Sequence, residues 1–368
     1  MQVNLAYLLN RPTGTTQYAL NLLPYLKTLS PDFLATPASG LPPNRYTAVP
    51  ANMTAAAGLQ GHLRRLAWTQ TRLPQLCARL HSQKDSQKGS KPLLFSPIPE
   101  APLFSRLPSV VMFHDLIPLR FPQFFGSIKL FYRHYVPQVL AQAERILCNS
   151  EATARDIVAF YKIPAQKLVP IPLAYDAGHF RPISNLSETF TAEPPYFLVL
   201  GRQAPYKNIR RVIEAFARVK QDCKLLIAGP TDERYTPELI ERADSLEVRP
   251  RMKFLSYVPY DQLPGLLSGA VALVFPSLWE GFGLPVLEAM ACGTPVICSD
   301  VASLPEVAGD AALLIDPVEV SAIASAMSAV LTDESLRLQL KTAGLQRARQ
   351  FSWEKTGQAT VEVLRQYL

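Results

Sequence analysis

Cysteine is scarce in this sequence, and the cysteines that occur are not spaced as pairs. The chain has 368 residues but five cysteines, with no Cys-x-x-Cys motif. An odd number of scattered cysteines argues against a disulfide framework and against a cysteine-rich metal site. We therefore expect these thiols to be buried as small apolar groups in a reducing compartment. The residues are Cys77, Cys148, Cys223, Cys292 and Cys298.

The sequence also lacks an uninterrupted apolar run of the about 18 residues that a membrane-spanning helix needs. Its first residues, Met1 to Leu9, lead directly into a predicted strand without the basic segment of a signal peptide. Hydrophobic residues make up 48% of the chain, which is ample for two cores, and 368 residues exceed the length of a usual single domain. We therefore expect a two-domain cytoplasmic protein.

Acidic residues are few in the first half of the chain. Up to Arg181 there are 19 Lys/Arg and 8 Asp/Glu, a balance of +11, whereas the remainder has 18 Lys/Arg and 22 Asp/Glu, a balance of −4. The two balances give the net charge of +7. A basic half joined to a mildly acidic half suggests that the first half meets an anionic surface or an anionic acceptor.

The most informative stretch is a predicted strand-loop-helix-strand unit. The apolar runs Ala270–Phe275 and Pro295–Cys298 predict buried strands, and parallel strands need a helical crossover of the kind predicted between them. Gly281 and Gly283 in the loop let backbone N–H groups approach a ligand without a Cβ in the way. Pro285 suits the first helical turn. The positive end of the helix therefore faces the loop and predicts an anion site.

Two carboxylates flank this predicted anion site. Glu280 lies in the loop before the helix, and Glu288 lies about one turn inside it. Ionised carboxylates accept hydrogen bonds from hydroxyl groups, so they suit a phosphate ligand that carries hydroxyls on both sides. A nucleotide diphospho-sugar has this layout of ribose, diphosphate and sugar.

The stretch Glu280-Gly-Phe-Gly-Leu-Pro-Val-Leu-Glu288, followed by Ala-Met-Ala-Cys-Gly-Thr-Pro-Val, closely resembles the two-glutamate motif of retaining GT-B glycosyltransferases of family 4, also called glycosyl transferases group 1. Within that family, the sequence resembles the mannosyltransferases. An ordinary Rossmann helix with surface glutamates is the alternative, but the spacing of both glycines, both glutamates and Pro285 favours the family.

The resemblance implies an α/β GT-B fold, with two facing Rossmann-like domains and a deep interdomain cleft. Residues 1–185 would form the acceptor-binding domain and residues 186–352 the nucleotide-sugar-binding domain. Residues 353–368 would form a helix that crosses back to the first domain. We expect a linker at Pro182–Pro195, which is polar and contains proline.

Further residues match the family pattern. The predicted strand Tyr196–Leu200 is followed by Gly201, Arg202 and Lys207, and two cations at a strand-to-helix turn suit a diphosphate. His114 follows another predicted strand, at the carboxyl end where open α/β sheets bind ligands. The resemblance implies that His114 contacts the sugar near the reacting bond, that Glu280 holds sugar hydroxyls, and that Glu288 holds the ribose.

The resemblance thus implies a full set of site residues. The catalytic residues would be His114, Glu280, Arg202 and Lys207. The donor-binding residues would be Gly14, Gly201, Arg202, Lys207, Tyr257, Val258, Glu280, Gly281, Phe282, Gly283, Leu284 and Glu288. No paired aspartates or His/Cys set has metal-ligand spacing, so we expect no metal and no cofactor, with cationic side chains in the metal's place.

The segment Gly58–His81 predicts an amphipathic helix with leucines on one stripe and Arg65, Arg72 and Arg79 on an adjacent one. One interpretation is a Rossmann helix with a solvated basic face. The other is a helix that rests on anionic lipid.

The expected function is therefore retaining transfer of a hexose from a nucleotide-diphosphate sugar, of the GDP-mannose or UDP-glucose type. The acceptor would be a saccharide or a polyprenyl-diphosphate-linked sugar in polysaccharide biosynthesis, with peripheral contact to the inner face of an anionic membrane and no nucleic acid. The alternatives are a GT-B nucleotide-sugar epimerase, which needs no acceptor, and a non-catalytic nucleotide-sugar-binding homologue.

Overall fold

The computed structural model describes residues 1–9, 13–84, 92–105, 107–183 and 194–368. The chain forms two compact units. The first consists of Met1–Leu173 together with Trp353–Leu368, and the second of Ala174–Ser352. The predicted domain boundary between residues 185 and 186 lies outside the described residues.

The first unit is a parallel sheet with helices. Its strands are β1 (Gln2–Leu5), β2 (Asp32–Ala35), β3 (Thr47–Ala48), β4 (Leu94–Ser96), β5 (Ser109–Phe113), β6 (Arg145–Cys148) and β7 (Leu168–Pro170). Its helices before the second unit are α1 (Gly14–Leu26), α2 (Gly58–Lys84), α3 (Ile117–Arg120), α4 (Ile128–Leu130), α5 (Val136–Gln142) and α6 (Glu151–Tyr161). Over the described residues the strand order is β3-β2-β1-β4-β5-β6-β7, with every pair parallel.

The second unit repeats this design. Its strands are β8 (Tyr196–Leu200), β9 (Lys224–Ala228), β10 (Met252–Leu255), β11 (Ala272–Phe275), β12 (Val296–Ser299) and β13 (Leu313–Ile315). Its helices are α7 (Ile209–Phe216), α8 (Thr236–Ser245), α9 (Leu263–Ser268), α10 (Leu284–Ala291), α11 (Leu304–Ala308), α12 (Val320–Thr332) and α13 (Glu334–Ala348). The described strands follow the order β10-β9-β8-β11-β12-β13 and are all parallel.

Both sheets are covered on both faces, because each parallel connection places a helix on one face or the other. The central strands are therefore apolar throughout: every residue of β5, β8 and β11 is buried. Local signals begin the helices that follow. Ser150, predicted as the N-cap of α6, accepts a hydrogen bond from the Thr153 backbone N–H.

The last helix, α14 (Trp353–Arg365), packs within the first unit. The Thr356 hydroxyl donates to the Pro172 carbonyl at 2.7 Å. Gly357 lies directly against the ring of Tyr25 on α1, where an added Cβ would come within 2.3 Å of ring carbons. A larger residue at position 357 would therefore push α14 away from α1. None of the helices in the described part of the chain is both long and apolar enough to cross a bilayer.

The predicted basic stripe on α2 is only partly correct. Arg72 and Arg79 are exposed, as is Arg64, but Arg65 is buried. Its guanidinium forms an ion pair with Glu100, 35 residues further along the chain. Arg65 therefore cannot face a lipid surface. Helical spacing identified the stripe, but it could not identify Glu100, the distant carboxylate that holds Arg65 in the interior.

Candidate active site

The candidate site of the second unit lies where the strand order reverses, between β8 and β11. In an open α/β sheet, the loops after two such strands separate and leave a crevice at their carboxyl ends, which is where ligands bind. Gly201, Arg202 and Lys207 follow β8, and Glu280 lies in the loop after β11. Two separate stretches of sequence therefore meet at this edge.

Lys207 and Glu280 form the centre of this site. Lys207 Nζ lies 2.5 Å from Glu280 Oε1, and their side chains are 15% and 11% exposed. The ammonium also lies 5.0 Å from the ring centroid of Phe275, the last residue of β11, in a cation–π contact. The lysine chain passes over Gly201, where an added Cβ would lie 3.4 Å from Lys207 Cε. The structure thus brings together three predicted residues.

Glycine is required at this edge by backbone geometry. Gly201 and Gly229 follow the adjacent strands β8 and β9 and have φ angles of +137° and +141°. An added Cβ on Gly229 would lie 2.1 Å from the Gly201 carbonyl oxygen. The two backbones therefore come together without side chains, which keeps the edge open beside Lys207.

A backbone tie fixes the position of Lys207. The next residue, Asn208, has a φ of +62°, a left-handed conformation that asparagine tolerates better than most residues. Its Nδ2 lies 3.0 Å from the Pro276 carbonyl oxygen and 2.6 Å from that of Pro317. The Leu278 N–H donates to the Tyr206 carbonyl at 2.8 Å. The bonds to Pro276 and from Leu278 join the turn after β8 to the loop after β11, so Lys207 and Glu280 are held as one assembly.

Ser303 holds the glycine loop, and no motif identified it. Its buried hydroxyl lies 3.0 Å from the Glu280 carbonyl oxygen and 2.9 Å from the Phe282 carbonyl oxygen. Gly283 has a φ of +107° and lies against Leu304, where an added Cβ would come within 2.6 Å of a methyl carbon. The loop therefore turns sharply into α10, and its amide end faces the site. Gly281 and Phe282 are buried in this turn, and Leu284 begins the helix.

Glu288, on α10, lies in a different environment from Glu280. It is partly buried, and burial raises its pKa to about 7. The described residues give its carboxyl group no hydrogen-bond or ion-pair partner. Burial chiefly raises the pKa of Tyr260, with smaller contributions from the charges of Asp176 and Glu288. The His179 imidazole stacks on the Tyr260 ring at 3.9 Å, and its Nε2–H donates to the Tyr260 carbonyl. Glu288 is thus a partly buried acceptor that titrates near neutral pH.

Arg202 is exposed at the same edge. Its guanidinium makes no hydrogen bond or ion pair within the described residues. The neighbouring Asp232 has a lowered pKa, chiefly because Arg234 donates to both of its oxygens at 2.9 and 2.8 Å, with a smaller contribution from the charge of Arg202. Both oxygens of Asp232 are therefore bonded to Arg234, and the guanidinium of Arg202 is available to bind a ligand.

Tyr257 and Val258 follow β10, which is the edge strand and lies two strands from β8. Tyr257 is 68% exposed and Val258 is partly buried. Within the described part of the chain, neither residue has a hydrogen bond, ion pair or ring contact to Lys207 or Glu280. Their assignment as donor contacts stays a prediction.

His114 belongs to the first unit, at the carboxyl end of β5. Its Nε2 lies 3.0 Å from the Pro97 carbonyl oxygen, which can only accept, so Nε2 carries the hydrogen. The ring packs edge-on against Tyr18 at 5.3 Å, and burial lowers the pKa to about 4. His114 is thus neutral at pH 7 and offers Nδ1 as an acceptor. Gly14, also in this unit, begins α1.

A cavity of about 420 Å³ also opens in the first unit. Its lining includes Ser109, which begins β5, and Glu144, which precedes β6, so it lies at the amino ends of the strands. His114 is at the opposite edge, where ligands of such sheets bind. The cavity is therefore separate from the candidate site. Across the described residues, no three His, Cys, Asp or Glu side chains cluster in a way that could hold a metal ion.

Comparison with known proteins agrees with this arrangement. Residues 12–179 match the model of Glycosyltransferase Family 4, and residues 184–347 match that of glycosyl transferases group 1. The O-antigen chain mannosyltransferase B of Escherichia coli is 33% identical over 265 residues, which are 69% of each chain. The serotype-specific mannosyltransferase WbdA of Escherichia coli is 30% identical over 272 residues, which are 69% of this chain and 33% of WbdA.

Among solved structures, Anabaena HepE in complex with UDP-glucose superimposes with a TM-score of 0.74 over 100% of both chains, at 18% identity. At this identity the likeness shows the fold, which is GT-B. The class of activity, glycosyl transfer, is shown by the two family models and by the mannosyltransferase relatives. The chain therefore belongs to glycosyltransferase family 4, the glycosyl transferases group 1, and is a glycosyltransferase.

Proposed function

We propose that this enzyme transfers a hexose, with retention at the anomeric carbon, from a nucleoside-diphosphate sugar to a saccharide or polyprenyl-diphosphate-linked acceptor in polysaccharide biosynthesis. GDP-mannose is the first candidate donor, because the two relatives above are named mannosyltransferases. UDP-glucose is the second, because HepE binds it. The name of the first relative, an O-antigen chain enzyme, supports a polysaccharide product.

The observation that carries this proposal is the Lys207–Glu280 pair at the amide end of α10. A diphosphate needs fixed positive groups, and a sugar needs a fixed hydrogen-bond acceptor. The pair supplies both within one assembly, and the second unit holds it at the edge where nucleotides bind in this type of sheet.

The chemical step requires stabilisation of the leaving diphosphate, because negative charge develops there as the glycosidic bond breaks. Lys207 Nζ, the fork of Arg202 and the amide end of α10 would interact with that charge. Such preorganised groups act most strongly where water is excluded, and Lys207 is 15% exposed. With two cations in this role, we propose that the reaction needs no metal ion.

The remaining groups would position the two sugars of the donor. The Glu280 carboxylate, held by Lys207, would accept hydrogen bonds from the transferred hexose, and Glu288 would accept from the ribose hydroxyls. His114 would accept a hydrogen bond from a sugar hydroxyl through Nδ1, since Nε2–H already donates to the Pro97 carbonyl.

We further propose that the first unit attaches reversibly to the anionic inner face of a membrane. The exposed leucines Leu59 and Leu63 lie on α2 with the exposed cations Arg64, Arg72 and Arg79. A helix that exposes both apolar side chains and arginines suits an interfacial position. Each cation contributes about 1 kcal/mol near such a surface, so binding should be weak and salt-sensitive.

The test is to follow radiolabel from GDP-mannose and UDP-glucose into a panel of alkyl glycosides and polyprenyl-diphosphate-linked sugars. Transfer that Lys207→Met abolishes supports the proposal. Conversion of the donor alone to an epimer would instead indicate an epimerase. Tight donor binding without any product would indicate a binding protein.

A further inference from the structure

The first unit contains a buried ion pair at the carboxyl edge of its sheet. Arg65 Nε lies 2.7 Å from Glu100 Oε2, and Arg65 Nη2 lies 2.7 Å from Glu100 Oε1. The side chains are 5% and 3% exposed. Arg65 Nη1 also donates to the Met53 carbonyl at 3.0 Å. A bidentate pair with a third anchor holds the guanidinium plane in one orientation.

This fixed guanidinium determines the state of a neighbouring histidine. Arg65 Nη2 also lies 3.0 Å from His62 Nδ1. A guanidinium can only donate, so Nδ1 accepts, and the neutral imidazole carries its hydrogen on Nε2. Burial and the Arg65 charge lower the pKa of His62, while Glu100 opposes them more weakly. His62 is therefore neutral, and its Nε2–H has no partner among the described residues.

An aromatic group lies beside this donor. The ring of His62 packs against Phe131, with centroids 6.1 Å apart, and Phe131 stacks on Tyr135 at 5.1 Å. Phe131–Tyr135 is a π-helical turn, a rare conformation that often occurs at functional sites. The Tyr135 hydroxyl donates to the Ala101 carbonyl at 2.7 Å and so anchors the stack. His62 and Phe131 are both partly exposed and thus accessible.

These groups share the ligand-binding edge of the sheet. Glu100 follows β4, and Phe131 precedes α5 in the connection that leaves β5. His114 follows β5 directly, and it bonds to Pro97, which follows β4. The strand order reverses between β1 and β4, next to these loops. The Nε2–H of His62, without a partner in the described part of the chain, and the ring of Phe131 therefore lie where such a sheet places its ligands.

We propose that His62 and Phe131 form a binding subsite for a sugar ring of the acceptor. His62 Nε2–H donates to a ring hydroxyl, and Phe131 covers the apolar C–H face of the ring. Arg65 is a positioning residue that keeps His62 in the donating tautomer. This inference rests on the proposed function only in taking the acceptor to be a saccharide.

Saturation-transfer NMR of the whole protein tests the subsite, with methyl α-D-mannopyranoside and methyl β-D-glucopyranoside as probes at millimolar concentration. Glycerol, which has hydroxyls but no ring face, is the control probe. We expect at least a fivefold loss of saturation transfer to the preferred glycoside in His62→Phe and in His62→Ala. His62→Gln, which keeps an N–H donor, should recover part of it. His134→Phe, at an exposed histidine of the same π-helical turn, should leave it unchanged.

The positioning role of Arg65 has its own readout. In protein labelled with ¹³C-histidine, the His62 ring shifts should report the Nε2–H tautomer in the wild type and a tautomer mixture in Arg65→Lys. Equal tautomer populations in the two proteins would overturn the positioning role.

Calorimetry with GDP and UDP on the same samples separates the subsite from the donor site. Unchanged nucleotide affinity with lost glycoside binding supports the subsite, whether or not transfer is detected. Glycoside binding that is absent from the wild type, or insensitive to His62, overturns the subsite even if the enzyme transfers hexose.

Discussion

Lys207 and Glu280 should have opposite effects on nucleotide binding, although they form one ion pair. The Lys207 ammonium is bonded to Glu280. A diphosphate that binds there must draw on the same ammonium. Lys207→Met removes the phosphate partner, whereas Glu280→Gln removes a competing negative charge and keeps the size of the side chain.

The magnitudes follow from burial. Both side chains are nearly buried, at 15% and 11% exposure, so solvent screens the pair weakly. A charged hydrogen bond contributes about 1.5–3 kcal/mol, so Lys207→Met should weaken GDP or UDP binding by about 2 kcal/mol, or about 30-fold. Loss of the repulsive carboxylate in Glu280→Gln should strengthen binding of the free diphosphate by about 1 kcal/mol, or about fivefold.

Isothermal titration with GDP and UDP measures both variants and the double variant. Arg210→Met is the matched control, because Arg210 pairs with Glu214 in the same unit but is 67% exposed. An exposed pair contributes less than about 1 kcal/mol, and this one lies on α7, so nucleotide affinity should not change. Equal weakening by Glu280→Gln and Lys207→Met would show that the pair is a structural support and not a phosphate clamp.

Other variants test the remaining roles. Arg202→Ala should cost about 2–4 kcal/mol of transition-state stabilisation, seen as lower kcat, and normal turnover would exclude it from the clamp. As pH rises through about 7, Glu288 loses its proton and becomes a better acceptor for ribose, so GDP or UDP should bind more tightly. Glu288→Gln should remove that part of the pH dependence, and identical pH profiles would contradict the ribose role. Activity should persist in excess EDTA, and loss of activity that Mn²⁺ or Mg²⁺ restores would contradict metal independence. The triple change of Arg64, Arg72 and Arg79 to Glu should abolish salt-sensitive binding to anionic vesicles, and equal binding of wild type to neutral vesicles would contradict the membrane proposal.

Much of the second unit could be predicted from local sequence. The apolar runs around Ala272–Phe275 and Val296–Ser299 predict buried strands, because both faces of a parallel sheet are covered. The glycines and Pro285 predict the turn into α10. The motif at Glu280 also identifies the family, which the comparisons confirm.

What could not be predicted depends on contacts between distant residues. The carbonyls that Ser303 binds lie 21 and 23 residues earlier, and the Lys207–Glu280 bond spans 73 residues. Arg65 shows the consequence. The periodicity of α2 predicted that Arg65 belongs to an exposed basic stripe, and that prediction was wrong because Glu100 holds the guanidinium inside the unit. Helical spacing shows which residues share a face of the helix, but it does not show which distant residues they contact.

The first unit was harder to predict from sequence than the second, for the same reason. His62 carries no motif, and its tautomer depends on an arginine that is fixed by a carboxylate 35 residues away. The π-helical turn at Phe131–Tyr135 has no simple signature in the sequence either. Such arrangements can be recognised only once the fold has brought their members together.

A crystal structure of the enzyme with GDP-mannose or UDP-glucose would show directly whether Lys207, Glu280 and the start of α10 bind the donor. We predict that the diphosphate lies within hydrogen-bonding distance of Lys207 Nζ and of the first amides of α10, and that Glu280 is bonded to the transferred hexose. A nucleotide bound elsewhere, with the Lys207–Glu280 bond intact and the end of α10 unoccupied, would contradict it.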